Sequence, residues 1–427
     1  MVKRVLMLAF HFPPQRGSSG IQRTLSFVRH LPQLGWQPLV LSAHPRAHPQ
    51  RDDTSLAQLP TQLVLRHAFA LDTARHLAWR GRYAGVMAVP DRWVSWLLGA
   101  VPGGLGLIRR YRPQVIWSTY PIATAHLAAL VLQRLTGLPW IADLRDPMID
   151  ASHPSGRVKR AVVRWIEART LERCTYAVCT TPGALQAYRE RYPTLPHGRL
   201  RLIENGFEEQ AFAATPARPA PDGVFTLLHS GIVYPSERDP RALFAALKAL
   251  HAEGMLDAGN FRLVLRAAVH ETWLAALAEE HGIAGLVDIA PALPYREALA
   301  EMLGASGLLL LQAANCNAQI PAKFYEYLRA RRPLLALTDL QGDTADAMRA
   351  AGIDTIAPLD DAAAIAHALR RFLALARSAQ APLAPAATVA AHERGARAVQ
   401  FAALLDAVVA DSACGAARHD PNSPKAP

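Results

Sequence analysis

Residues 318–337, AQIPAKFYEYLRARRPLLAL, decide the fold. The apolar run Leu308–Leu311 just before them reads as a buried strand, and Pro333–Leu337 reads as the next. Proline is favoured at the first position of a helix because its missing N–H has no partner there, so a helix opens at Pro321. Phe324, Tyr327 and Leu328 form its inner face, and Lys323 and Glu326 fall one turn apart on the same side. The free N–H groups of a helix start, with an ammonium beside them, suit an anion such as a diphosphate. A carboxylate one turn deeper can accept hydrogen bonds from sugar hydroxyls. A surface helix carrying one i,i+3 ion pair fits the same residues equally well.

Working outward, residues 223–385 alternate strand and helix patterns, which implies a parallel sheet covered on both faces. Val224–Gly231 is a strand running into a glycine turn at Gly231, and Arg238 stands just before the helix Pro240–His251. There a guanidinium can clasp phosphate oxygens or form a capping pair with Asp239. Residues 209–222 are rich in Pro and Ala and read as a linker. Residues 386–410 read as a C-terminal helix, weakened at Gly395, that folds back on the first domain. Residues 411–427 read as a disordered tail.

Residues 1–208 repeat the theme. Val5–Phe10 leads into a loop with Gly17 and Gly20, then a helix from Ile21, which is the order by which α/β domains bring backbone close to a phosphate. Strands at Gln114–Ser118 and Pro139–Ala142 end in polar clusters, Ser118–Pro121 with His126 in the next helix, and Asp143-Leu-Arg-Asp146. Ligands of parallel sheets bind beyond the carboxyl ends of the strands. A structural histidine and a local salt-bridge network fit those two clusters as well.

Composition narrows the partners. Residues 1–210 hold 27 Lys and Arg against 13 Asp and Glu, net +14, while the remainder holds 19 against 22, net −3. A basic first half attracts anionic lipid, polyanionic substrate or nucleic acid. No zinc-finger, aromatic RNA-binding or Lys-rich pattern accompanies it, which argues against nucleic acid. No apolar run approaches the ~20 residues of a membrane span. The four cysteines form no CxxC pair or metal-ligand cluster, so a cytoplasmic protein without a bound metal is expected.

Together the motifs resemble glycosyltransferase family 4, of the bacterial surface-polysaccharide type. The carriers are Phe12-Pro-Pro14 with Gly17-Ser-Ser-Gly20, Trp140-Ile-Ala-Asp-Leu-Arg-Asp-Pro147, Thr181-Pro-Gly183, Ile203-Glu-Asn-Gly-Phe207, His229-Ser-Gly231 with Arg238-Asp-Pro240, and Ile320–Leu328. The resemblance implies the α/β GT-B fold: two facing Rossmann-like domains, the first binding acceptor and the second binding nucleotide sugar. It assigns Glu326 to the ribose, Lys323, Arg238 and the helix start at Pro321 to the diphosphate, and Gly17 and Gly231 to close approach of backbone. Asp143, Arg145, Asp146 and His126 become catalytic or acceptor-positioning groups.

The implied activity is transfer of a sugar from a nucleotide sugar to a glycan or lipid-linked acceptor, with retention and without a metal or other cofactor. Its expected place is the inner face of the plasma membrane, bound peripherally. The family commonly has a second glutamate eight positions before the first, at the donor sugar; here that position is Ala318. A nucleotide-sugar epimerase of the same fold and a non-catalytic partner subunit are the competing readings.

Overall fold

The computed structural model describes residues 2–15, 19–52, 55–56, 59–150, 154–219 and 223–417. Two units emerge, Met1–Glu204 joined by the C-terminal segment from Arg394, and Asn205–Glu393.

The first unit is built on seven parallel strands: β1 (Lys3–Leu8), β2 (Trp36–Ala43), β3 (Val64–Ala68), β4 (Val115–Thr119), β5 (Trp140–Leu144), β6 (Tyr176–Cys179) and β7 (Leu200–Leu202). Their order is β3-β2-β1-β4-β5-β6-β7. Successive side chains of a strand point to opposite faces, so a sheet buried on both sides needs apolar residues at nearly every position. Strand β1 follows that rule: Leu6 and Leu8 join Leu39, Leu41 and Ile116 on one face, and Val5 and Met7 join Val40, Val115 and Trp117 on the other.

The second of those faces is closed by the C-terminal helix. Phe401 lies 4.5 Å from the ring of Phe27 and 5.8 Å from that of Trp117, and Arg397 Nη2 donates to Glu204 Oε2 at 2.7 Å. The expected return of the chain to the first domain is thereby borne out. Two details differ from expectation. The helix is broken into Ala386–Ala391 and Arg394–Ala417, because His392 O accepts Phe207 N and the His392 ring packs on Tyr325, both in the second unit. It also continues to Ala417 where a tail from residue 411 was expected, and Tyr176 Oη donates to Asp411 Oδ2 at 2.8 Å. Residues 418–427 of that tail lie outside the described residues.

The second unit carries β8 (Phe225–Ser230), β9 (Phe261–Arg266), β10 (Val287–Ala290), β11 (Gly307–Leu311), β12 (Leu334–Leu337) and β13 (Ile356–Ala357), ordered β10-β9-β8-β11-β12-β13. Leu308 and Leu310 face one core while Leu309 and Leu311 face the other, which explains the uninterrupted run of leucines. Part of the stretch expected as a linker packs on this unit. Glu209–Ala213 is a short helix with Phe212 buried, and Arg218 N donates to Ala300 O at 2.8 Å. That approach requires Gly304, since a Cβ there would lie 1.6 Å from Arg218 O.

Both sheets start from their first strand, run outward on one side, then return to the other side. The reversal falls between β1 and β4 in the first unit and between β8 and β11 in the second. Ligands of such sheets bind at that reversal, beyond the carboxyl ends of the strands.

Candidate functional site

At the reversal of the second sheet, strand β8 ends in a loop whose Gly231 has φ +155°, a conformation that a side chain disfavours. A Cβ at Gly231 would lie 3.8 Å from His229 Nε2 and 3.9 Å from Arg238 Nη1, so histidine, glycine and arginine converge. His229 Nδ1 lies 2.9 Å from Leu309 O. A carbonyl only accepts, so Nδ1 carries the proton and Nε2 presents a lone pair. Among the described residues nothing partners that nitrogen. Burial first, then the charges of Arg238 and Lys323, push the His229 pKa down to about 4, so the ring is neutral at pH 7.

Arg238 Nη1 donates to Ile232 O at 2.5 Å and the guanidinium lies 5.5 Å from the ring centre of Tyr234. Among the described residues no carboxylate pairs with it. The helix that follows β11 begins at Ala322 and runs to Ala330, with Pro321 as its extended cap (φ −57°, ψ 135°) rather than its first residue. Lys323 Nζ and Glu326 Oε2 are 3.0 Å apart, and Tyr295 Oη donates to Glu326 Oε1 at 2.9 Å. Glu326 is buried and held by both oxygens, so it is a fixed acceptor rather than a mobile base.

Hydrogen bonds bind the two loops into one frame. Ala313 N donates to Glu237 O at 2.7 Å, and Asn315 Nδ2 donates to Ser236 O at 3.1 Å. Gln312 Nε2 donates to Cys316 O and Gln319 O, fixing the loop that contains Ala318. Ser230 N donates to Tyr327 Oη at 2.9 Å, tying the end of β8 to the helix. Beside them, after β9, Ala267 and the β-branched Val269 are left-handed at φ +59° and +73°. Such backbone strain, of order 1–3 kcal/mol, is retained mostly at functional loops. The structure thus brings Gly231, Arg238, Pro321, Lys323 and Glu326 to one reversal; Gly17 lies outside the described residues.

In the first unit most of the corresponding polar groups satisfy one another, His126 Nε2 being a buried nitrogen without a partner among the described residues. Asp143 lies within β5 rather than after it, and it is buried. Arg23 donates to it twice, Nη2 to Oδ1 at 2.9 Å and Nε to Oδ2 at 3.1 Å, and Thr119 Oγ1 donates to Oδ2 at 2.9 Å. Arg23 also donates to Ile203 O and Glu204 O, so the pair joins the ends of β4, β5 and β7. Trp140 Nε1 donates to Ser118 Oγ at 2.8 Å, and Ser118 Oγ lies 2.7 Å from His126 Nδ1. Ser118 Oγ accepts from the indole and has a second lone pair as well as its own proton, so its contact with His126 Nδ1 fits either tautomer of the ring. Burial pushes the His126 pKa down to about 4. Arg145 and Asp146 stand 3.6 Å apart, with Asp146 half-exposed. His11 is neutral beside them, its pKa pushed down to about 3 by burial and then by the Arg145 charge.

Sequence reasoning missed Arg23, Tyr295, Gln312 and the tautomer of His229. Arg23 and Asp143 are 120 positions apart, so no local pattern links them. His229 and Gly231 do carry a signal, a histidine two before a glycine at the end of an apolar strand.

Residues 19–206 match the glycosyl transferase 4-like domain. The family 4 resemblance drawn from the motifs is borne out over those residues, and similar solved structures share the fold of the whole chain. Trehalose 6-phosphate synthase from Burkholderia multivorans is similar at TM-score 0.65 and 14% identity, covering 100% of both chains. The Anabaena protein HepE, in complex with UDP and glucose, is similar at 0.64 and 12%, covering 95% of this chain and 100% of that one. Sucrose-phosphate synthase from Thermosynechococcus elongatus is similar at 0.63 and 15%, covering 99% and 100%. At these identities the likeness establishes the GT-B fold alone. No curated protein matches the sequence significantly. Among the described residues no group of three or more His, Cys, Asp or Glu side chains is placed to hold a metal ion.

Proposed function

We propose that this family 4-like protein transfers a sugar, with retention, from a nucleotide sugar held by its second unit to a glycan or lipid-linked acceptor bound by its first. The observation that carries the reading is the reversal between β8 and β11. There an arginine without a carboxylate partner among the described residues, a lysine and a helix N-terminus meet a glycine that lets a ligand come close. That is the chemistry of a diphosphate site. The fold shared with HepE, which is known in complex with UDP and glucose, agrees with it.

In this reading Glu326, fixed by Lys323 and Tyr295, accepts hydrogen bonds from the ribose hydroxyls. As the glycosidic bond breaks, negative charge builds on the diphosphate. Arg238, Lys323 and the helix start stabilise that charge, and the leaving phosphate takes the acceptor proton. His229 adds no third charge, and its Nε2 lone pair accepts from the ligand. In the first unit Arg145, Asp146 and His126 position the acceptor, with Asp143 ordering the strand ends through Arg23. Ala318 leaves the nucleotide contacts in place and removes one hold on the donor sugar. No metal takes part, so a chelator leaves turnover unchanged. The protein works at the cytoplasmic face of a membrane, in polysaccharide synthesis.

Thermal unfolding with UDP-, GDP- and ADP-sugars tests the reading, since a ligand of the folded state alone raises Tm. One nucleotide class is expected to raise Tm in the wild type and not in Glu326→Ala. No shift with any of them would leave only a non-catalytic partner subunit. Efficient release of free sugar without an acceptor would mark an epimerase instead.

A further inference from the structure

One loop of the first unit carries none of the groups assigned above to sugar transfer. Residues 73–90, TARHLAWRGRYAGVMAVP, contain three arginines and no acidic residue. Their base is pinned. Thr73 Oγ1 lies 2.9 Å from both Met87 O and Arg92 O, Thr73 N donates to Arg92 O, and Asp72 Oδ1 accepts Ala74 N. Asp91 accepts from both Thr124 N and Thr124 Oγ1 at 2.9 Å, which fixes the far end to the helix after β4. The loop therefore stands at the carboxyl end of the first sheet.

Its tip is ordered and apolar. Trp79 and Arg82 exchange two backbone hydrogen bonds across Arg80 and Gly81, both left-handed at φ +48° and +76°, which makes a tight two-residue hairpin. Trp79 is 79% exposed and Val86 74%, and Leu77, Tyr83 and Met87 are exposed beside them. Clustered exposed apolar side chains mark an interaction surface. The arginines and the two amphipathic aromatics within this one fit a single chemistry. Trp and Tyr settle at the boundary between headgroups and acyl chains, and arginine pairs with anionic headgroups.

We infer that loop 73–90 docks this protein on an anionic lipid surface, with Trp79, Val86 and Met87 entering the headgroup boundary and Arg75, Arg80 and Arg82 binding lipid phosphates. The net charge of +14 on residues 1–210 adds a long-range attraction of this half of the chain to an anionic surface. The inference rests on the membrane-bound reading above and gives it an address; it does not depend on the nucleotide site.

The test is co-sedimentation of the full chain with vesicles of phosphatidylcholine alone or mixed with phosphatidylglycerol. Binding is expected only to the mixed vesicles and is weakened by salt. Arg80→Ala with Arg82→Ala should lower the partition coefficient about thirtyfold, since each arginine near an anionic surface contributes roughly fivefold. Trp79→Ala with Val86→Ser should lower binding while leaving salt dependence intact. Both variants should keep the wild-type Tm and the same rise with nucleotide sugar, which shows that the fold and the donor site are untouched. Wild-type binding equal for both vesicles, no binding at all, or variants that bind as wild type would overturn the inference. So would a self-association of the wild type that Trp79→Ala abolishes, because the patch would then belong to a second copy of the chain.

Discussion

The two sheets reverse direction in the same way, yet their reversals differ in charge. Between β1 and β4 the strongest groups are consumed internally: Asp143 with Arg23 and Thr119, Asp91 with Thr124, Ser118 with His126 and Trp140. Between β8 and β11 Arg238 has no carboxylate partner among the described residues, and Glu326 is matched by Lys323. The backbone device is shared; the side chains decide its use. A neutralised reversal suits hydroxyl groups, and one with surplus positive charge suits a diphosphate.

This contrast can be broken where its effects are largest. Arg23→Ala would strip the buried Asp143 of its guanidinium, and removing one partner of a buried ion pair costs about 3–5 kcal/mol of stability. Urea unfolding should show that loss, whereas Arg238→Ala should leave the midpoint almost unchanged. An equal loss in both variants would mean that the second reversal is as internally paired as the first. For function the order inverts. Arg238→Ala should lower turnover by about 10²–10³-fold if it stabilises the leaving diphosphate, and Arg238→Lys should restore part of it. Single-turnover rates at saturating donor provide the check.

A smaller effect separates shape from charge. Gly231→Ala meets no atom closer than 3.8 Å, so its cost lies in the backbone angle alone, roughly 1–3 kcal/mol. Calorimetric titration with the nucleotide should show weaker affinity with unfolding cooperativity retained. Affinity equal to wild type would mean that the glycine serves the turn and not the ligand.

How far the sequence could carry this contrast depends on distance along the chain. The leucine run at 308–311 and the pairing of Lys323 with Glu326 are local, so strand, helix and ion pair were legible from spacing. The helix start was placed one residue early, because Pro321 proved to be the cap. The state of Asp143 was not legible. Its neighbours Arg145 and Asp146 suggested an open cluster, but its partner comes from a helix 120 positions upstream, and only the folded sheet brings them together. The same holds for Tyr295 on Glu326, and for Phe401, which lies against Phe27 and Trp117 although the chain visits the whole second unit in between. Hydrophobic period reveals faces; which polar groups neutralise each other is settled by topology.

Acidification sharpens the comparison with the gentlest perturbation. Burial pushes His11 down to about 3 and His48 and His126 down to about 4 in the first unit, while the second has His229 at about 4. Each ring stays neutral in the native chain but takes up a proton in the unfolded chain once pH falls below about 6.5. Between pH 6.5 and 4 the unfolded state therefore binds more protons, so stability is full above that window and declines through it as pH falls. Asp91, raised by burial, acts in the opposite sense but is a single group. His67 is lowered by burial as well, so with four such histidines against one the first unit should weaken first. Hydrogen exchange at pH 7 and pH 5 should show amides of β1, β4 and β5 losing more protection than those of β8 and β11. Earlier loss in β8 and β11 would show that the surplus charge around Arg238, not the buried histidines, sets the acid limit of the protein.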